Sequence, residues 1–324
     1  MTRLPLEALE ACAADFDASV ERDPSIDRFC SRTEWILPFH RAFLPERELF
    51  AYRNGGSFLA FAAREHPTVG RYLEAIETMW CFACPLVGEE SVPLLEQAIS
   101  EIGANAPLVF AGIPANRGPE TLLARVVVAL DDRYDLRVVD STLRFEASLE
   151  GGLEGWLSRR SRAFRRNLRA AARKAEGEIE MELHRPGPGA QLEALYERVL
   201  DIERRSWKAA EGSGVAEAPM RTFYDDMLPR IARRGGLRVL VATREGRDVG
   251  YLHGAVTGDR FRGLQLSSDS AARHLSLGNL MQREMIEHLC EEGVRSYDLG
   301  TRSDYKRRWA EEGLRTLTIL ARRR

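Results

Sequence analysis

Residues 295–310 read RSYDLGTRSDYKRRWA. The pattern predicts a short strand from Arg295 to Leu299, a turn at Gly300 and then a helix start carrying Tyr305, Lys306 and Trp309. A phenol can donate a proton or a hydrogen bond. An ammonium can stabilise a developing oxyanion or fix an anionic donor. Both stand just beyond the C-terminal end of a strand, where open α/β sheets place ligands. The plainer alternative buries Trp309 and Tyr305 and leaves Lys306, Arg307 and Arg308 as solvated charges.

A second stretch is DSAARHLSLGNLMQREMIEHL, from Asp269 to Leu289. A strand ends at Asp269, and an amphipathic helix begins near Leu277 to Asn279. Arg273, Ser276 and Gly278 give an R-x-x-S-x-G spacing. A glycine at a helix entrance exposes backbone N–H groups, and these with the helix dipole favour a phosphate. Arg273 adds a charged fork of donors. Leu277 and Asn279 at the helix start, and Leu266 and Ser267 on the strand before it, are counted with this donor side. A merely Ser-capped helix explains the same spacing. Asp269 is the candidate base, should the reaction need one.

Two further stretches carry charge. Residues 157–174, LSRRSRAFRRNLRAAARK, hold eight basic residues and no acid. Arg159, Arg162, Arg166, Arg169 and Arg173 follow a 3-4-3-4 spacing, so one helix face would carry them all. Such a face suits a phosphorylated cofactor, RNA or an anionic membrane surface, and Arg166 at its centre is taken as a substrate contact. Ion pairing with acidic helices elsewhere is the plain alternative. In ERRSWKAAEGSG, Trp207 and Lys208 end a helix at a glycine-rich loop, which suits an acceptor pocket or lid. A core indole and a lysine at a helix C-terminus would read the same way.

The elements that must position these residues alternate. Two β-rich runs flank Asn54-Gly55-Gly56, a hairpin signal. A helix over SVPLLEQAISEIG ends on a C-capping Gly103, and APLVFAGIP follows as a strand. The second half repeats the order. One long helix covers LEGWLSRRSRAFRRNLRAAARKAEG, and another covers QLEALYERVLDIERRSWK. Hairpin strands, a further strand, a helix and a terminal strand complete it. The expected fold is α/β (α+β): two tandem units, each a mixed twisted sheet flanked by helices, spanning 1–150 and 151–324.

Composition sets outer limits. The chain has 324 residues, 44% hydrophobic and 30% charged, with a net charge of −2. There is no global basic field of the kind a general nucleic-acid binder shows. No apolar run reaches the ~20 residues that span a bilayer, and no secretory leader is expected. Five scattered cysteines fit a reducing cytoplasm better than a disulfide framework. Cys81-Phe82-Ala83-Cys84 lies in a run read as an apolar strand, without a second pair to make a metal site. No metal is expected.

Taken together, SRRSRAFRRNLRAAARKAEG, RSWKAAEGSG, HLSLGNLMQREMIEH and YDLGTRSDYKRRWA resemble the GNAT acyltransferase superfamily. Within it they resemble the FemAB-like, double-GNAT branch that includes proteins labelled as cellulose-biosynthesis (CelD/BcsL) acetyltransferases. The resemblance covers residues 150–320 well and the first half loosely. It implies a structural or acceptor-binding first unit and a second unit that binds acetyl-CoA or another acyl-CoA. Arg273 to Gly278 stand where the family's Q/R-x-x-G-x-G/A turn cradles the pyrophosphate, with Ser276 replacing the middle glycine. Tyr305 and Lys306 stand at the position of an aromatic-lysine pair: the lysine steadies charge on the reacting carbonyl and Tyr305 serves the leaving thiolate. The implied activity is N-acyl transfer to a small-molecule, peptide or sugar amine. An aminoacyl-tRNA donor, and a non-catalytic binding module, are the rivals. Monomer and dimer both stay open.

Overall fold

A computed structural model describes all residues except 69, 103–105 and 213. The C-cap expected at Gly103 lies outside the described residues. The chain forms two compact units, Met1–Leu143 with Leu314–Arg324, and Arg144–Gly313.

The first unit begins with β1 (Thr2–Leu4), α1 (Leu6–Ala11), α2 (Ala13–Arg22) and α3 (Thr33–Phe43). Next come β2 (Leu49–Asn54), β3 (Ser57–His66), β4 (Gly70–Ala75) and β5 (Leu86–Val87). Then follow α4 (Ser91–Ile102), β6 (Leu108–Pro114), α5 (Leu122–Leu130) and β7 (Tyr134–Ser148). The hairpin signal is realised: Asn54 pairs with Ser57 across Gly55-Gly56, and Gly55 takes a φ of 57°, which glycine adopts without steric cost. β4 and β6 run parallel and pair at Leu73–Leu108 and Glu74–Val109. The segment between β4 and β5 is a loop, not the apolar strand expected around Cys81 and Cys84. The fully buried Glu77 carboxylate organises it by accepting the N–H groups of Trp80, Cys81, Phe82 and Ala83.

The second unit contains α6 (Gly152–Ser158), α7 (Arg162–Ala175), β8 (Glu180–His184), α8 (Ala190–Arg204) and α9 (Trp207–Ala210). It continues with α10 (Met220–Arg233), β9 (Leu237–Arg244), β10 (Arg247–Thr257) and β11 (Arg260–Ser268). A 3-10 turn (Ser270–Leu275) leads to α11 (Leu277–Glu291), β12 (Ser296–Thr301) and a second 3-10 turn (Lys306–Arg308). β13 (Glu311–Arg323) closes the chain, and from Thr316 onward it pairs antiparallel with β6 of the first unit's own sheet. The second unit's strands lie in the order β8-β9-β10-β11-β12, followed by residues 144–148 of β7.

Two expected helices are broken, each for a local reason. The basic segment is two helices, because Ser161 takes an extended conformation and its hydroxyl accepts from the Phe164 N–H as an N-cap. Arg159 is left before the break and turns back to the Ser148 and Glu150 carbonyls, so it drops out of the arginine stripe. α8 stops at Arg204, and Trp207 and Lys208 begin α9 rather than end the preceding helix. Arg205, in between, is drawn onto Asp269 and the Asp248 carbonyl.

β11 and β12 are parallel but pair over only three residues each, Arg260–Ser296, Phe261–Tyr297 and Arg262–Asp298. Beyond that point they part. Asp298, 3% exposed, sits there between the buried guanidiniums of Arg262 at 2.8 Å and Arg144 at 3.2 Å. It also accepts the Gly300 N–H at 2.7 Å. Removing one member of a buried ion cluster leaves the others uncompensated, at a cost of ~3–5 kcal/mol. Asp298→Ala is therefore expected to lose about that much in denaturant unfolding. A loss within the range of an ordinary surface substitution, ~0.5 kcal/mol, would refute the structural role given to this cluster.

Candidate active site

Where β11 and β12 part, a cavity of about 460 Å³ opens. Trp207, Lys208, Leu266, Ser267, Gly278, Asn279, Tyr305 and Lys306 all line it. Four stretches far apart in sequence thus meet in one place. α9 brings Trp207 and Lys208, the free end of β11 brings Leu266 and Ser267, the entrance of α11 brings Gly278 and Asn279, and the turn after β12 brings Tyr305 and Lys306.

The local folding explains each position. Trp309 is buried and stacks on Trp156, with ring centroids 5.5 Å apart, and meets Phe164 edge-on at 5.0 Å. The Trp156 indole N–H donates to the Trp309 carbonyl at 3.0 Å. This anchor fixes the end of the turn and leaves Tyr305 and Lys306 at the cavity, one with its ring half-exposed. Lys306 Nζ donates to the Thr301 carbonyl at 2.9 Å. Burial pushes its ammonium down to about 8, with Arg262 acting in the same direction and Asp298 against it. Burial raises the Tyr305 phenol, so it keeps its proton and remains a donor.

Lys208 reaches across from α9 and donates to Gln265 Oε1 and the Leu266 carbonyl, both at 2.9 Å. Burial lowers its pKa, opposed by the Glu203 carboxylate. Trp207 is 53% exposed at the mouth. The buried Ser267 hydroxyl has no hydrogen-bond partner among the described residues, so it is available to a ligand.

Other expected residues fall elsewhere. Arg273 is exposed on the 3-10 turn and does not line the cavity. Ser276 is exposed and does not line the cavity either; its side chain does not cap α11, and its φ of 56° is the left-handed conformation that glycine takes more readily. Leu277 is core. Arg166 is exposed on α7, away from the cavity. A separate cleft, about 760 Å³, is lined instead by Arg162, Arg165, Arg169, Arg173 and Arg283. The expectation for Asp269 is corrected. Its carboxylate is taken up by Arg205 at 2.8 Å, Arg247 at 3.4 Å and the Ala271 N–H at 2.9 Å. Burial works to raise its pKa, but these donors hold it below the usual carboxylate range. A base so paired is weak, and it does not face the cavity.

The sequence reading passed over Gln265, Gln282, Tyr297 and Leu299, which also line the cavity. Spacing could have found three of them. Gln282 stands four residues after Gly278 on α11, and Tyr297 and Leu299 alternate on β12. The Tyr297 ring lies over Gly263 where the strands part, and a Cβ there would come within 2.7 Å of it. Among the described residues, no cluster able to hold a metal ion is present.

Residues 162–307 match the family described as acetyltransferase (GNAT) domain. Solved structures match the whole chain. FemX is similar at 11% identity and a TM-score of 0.64, covering 95% of each chain. A conserved protein of unknown function from Bacteroides thetaiotaomicron is similar at 10% identity and a TM-score of 0.63, covering 99% of this chain and 100% of that one. L-PGS from Bacillus licheniformis is similar at 13% and a TM-score of 0.55, covering 93% and 94%. Compared with curated protein sequences, the chain has no match. Residues 162–307 thus match the GNAT acetyltransferase domain family, and the whole chain has a fold similar to that of FemX.

The depressed Lys306 has a thermodynamic signature. The folded chain gives up this proton near pH 8, whereas an ordinary lysine holds it to 10.5. The unfolded state therefore binds more protons in that window, and stability rises with pH across it. Lys306→Met is expected to flatten the rise without loss of stability below pH 8. Unfolding curves from pH 7 to 10.5 test this, and an unchanged slope would contradict the assigned environment.

Proposed function

We propose that the chain is an N-acyltransferase that moves an acyl group from acyl-CoA to an amine. The observation that carries this reading is the convergence of Gly278, Asn279, Tyr305 and Lys306 on the cavity between the parting strands. The first turn of α11 has N–H groups without intrahelical partners, which favour the donor's phosphates. The pantetheine arm would run along the free edge of β11, with Leu266 and Ser267 beside it. Lys306 would face the thioester carbonyl and stabilise its oxyanion. Tyr305, kept protonated, would supply the proton for the departing thiolate.

A second reading has one observation in its favour. The side chains of Arg162, Arg166, Arg169 and Arg173 of α7 make no side-chain hydrogen bond or ion pair among the described residues. That unspent charge suits the aminoacyl-tRNA donor implied by the FemAB-like resemblance.

Calorimetric titration with acetyl-CoA and free CoA decides between them. Micromolar binding is expected. A Cβ at Gly278 meets only Leu266, at 3.7 Å, so Gly278→Leu should leave the melting temperature nearly unchanged while filling the cavity and abolishing binding. Lys306→Met should lower turnover at least about tenfold, or ~1.4 kcal/mol of barrier. No binding at millimolar ligand, with salt-sensitive RNA binding instead, would move the assignment to the second reading.

A further inference from the structure

The cavity's lining has an unusual charge composition. It contains no aspartate, glutamate or histidine; its ionisable groups are Lys208, Lys306, Tyr297 and Tyr305. Yet an amine acceptor arrives at neutral pH as an ammonium and cannot attack until it loses a proton. The group that removes that proton must titrate near neutrality and reach the cavity. Asp269, bound to two arginines, does neither.

Lysine usage narrows the choice. Only three of the chain's 47 basic residues are lysines: Lys174, Lys208 and Lys306. The rest are arginines, including Arg144 and Arg262 at the last pairing of β11 and β12 and every cation along α7 other than Lys174. Two of the three lysines line one cavity. The third, Lys174, donates to the His274 carbonyl on the turn that leads into α11. Where a fixed positive charge suffices, arginine serves, because its guanidinium stays charged in proteins. Lysine differs in that its ammonium can be deprotonated once buried. Lys306 has a role that uses a compact charge beside the carbonyl. Lys208 has no carbonyl role assigned, and no carboxylate lines the cavity beside it.

We propose that Lys208 is a further catalytic residue, the base that takes the proton from the incoming amine. This rests on the acyltransferase reading of the same cavity. Neutral Lys208 Nζ accepts a proton from the acceptor's ammonium, and the freed nitrogen forms its bond to the thioester carbon. As the tetrahedral intermediate collapses, the C–S bond breaks and the thiolate takes a proton from Tyr305, which recovers one from the nitrogen. The products are the amide, the free thiol and one proton, which Lys208 returns to solvent.

The surroundings of Lys208 fit a group that changes charge. Gln265 Oε1 and the Leu266 carbonyl can accept from an amine in either state. The Gln265 amide is linked to Tyr224 of α10. On α8, Glu203 opposes deprotonation, but its oxygens are engaged by the Tyr251 hydroxyl, the Val215 N–H and Ser206. On β10, His253 is fully buried, and burial, then Lys208, pushes its pKa down to about 3, so it stays neutral. Burial keeps Tyr224 and Tyr251 protonated.

The scarcity of lysine makes the test direct. Reductive methylation of the full chain with labelled formaldehyde gives NMR signals from three lysines and the N-terminus alone. The signal absent from Lys208→Arg belongs to Lys208. It should titrate below an ordinary lysine, as burial dictates. Lys208→Arg, which keeps the charge but cannot release it, should lose about 100-fold in kcat and the acidic limb of the pH–rate profile. Lys208→Ala should regain activity with added methylamine, which a purely structural lysine would not allow. A Lys208 signal that titrates like an exposed lysine overturns the proposal whatever the enzyme turns over, as does full activity in Lys208→Arg. Wild-type protein that releases no thiol from acetyl-CoA with any amine counts instead against the acyl-CoA reading.

Discussion

The cluster of Arg144, Asp298 and Arg262 determines where the second unit's sheet opens. Asp298 is opposite Arg262 at the last paired position of β11 and β12. Arg144, from the end of β7, reaches the same carboxylate from the other side. Gly300 then turns β12 out of register with a φ of 86°, and its N–H returns to Asp298. A Cβ there would lie 3.3 Å from Arg262, in a backbone conformation other residues rarely adopt. One carboxylate thus joins three strands and ends the pairing of two of them. The cavity exists because the strands cannot continue together past it. Arg262 also helps to depress Lys306, so the same cluster shapes the site and tunes its chemistry.

The first unit shows what happens without such an opening. Its equivalent parallel strands, β4 and β6, also pair briefly. There the chain leaving β4 is folded back by Glu77, and Ala83 presses on β6 so closely that Gly112 could not carry a Cβ. A cavity of about 800 Å³ does lie nearby, but the turn before α4 brings Glu89 and Glu90 to it. Carboxylates at a helix entrance oppose a phosphate that the dipole would otherwise attract. The turn CPLVGEESVP thus sets two carboxylates beside that cavity, which Arg22, Arg117 and Arg125 also line.

Much of this was legible in the residues. The alternation of strands and helices follows from hydrophobic period, and strand ends and helix entrances are marked by Gly55, Gly278 and Gly300. Residues at such ends, Tyr305, Lys306, Gly278 and Asn279, stand out because ligands in α/β sheets gather there, and all four line the one cavity. What stayed hidden depends on tertiary contacts. Nothing local distinguishes Asp298, a partner in a buried cluster, from a strand-end aspartate on the surface. Asp269 looked available because Arg205 and Arg247 are remote in sequence. The stripe from Arg159 to Arg173 looked continuous because one hydroxyl, at Ser161, was enough to break it. Arg166 is exposed on α7 and does not line the cavity, because helical spacing predicts which residues share a face, and not which way the face points.

The separation of charge types completes the argument. Three acids of the second unit near the cavity are spent on partners outside it: Asp298 on two arginines, Asp269 on two more, Glu203 on Tyr251 and a backbone N–H. An acid admitted to the cavity would pair with Lys306, raise its pKa and quench the charge meant for the carbonyl. A lysine avoids this conflict. Two ammoniums in one cavity repel, so the protonation of one favours the neutral form of the other. Of the two, Lys306 is the one pushed down to about 8, by burial and then Arg262, whereas Lys208 is lowered by burial against the pull of Glu203.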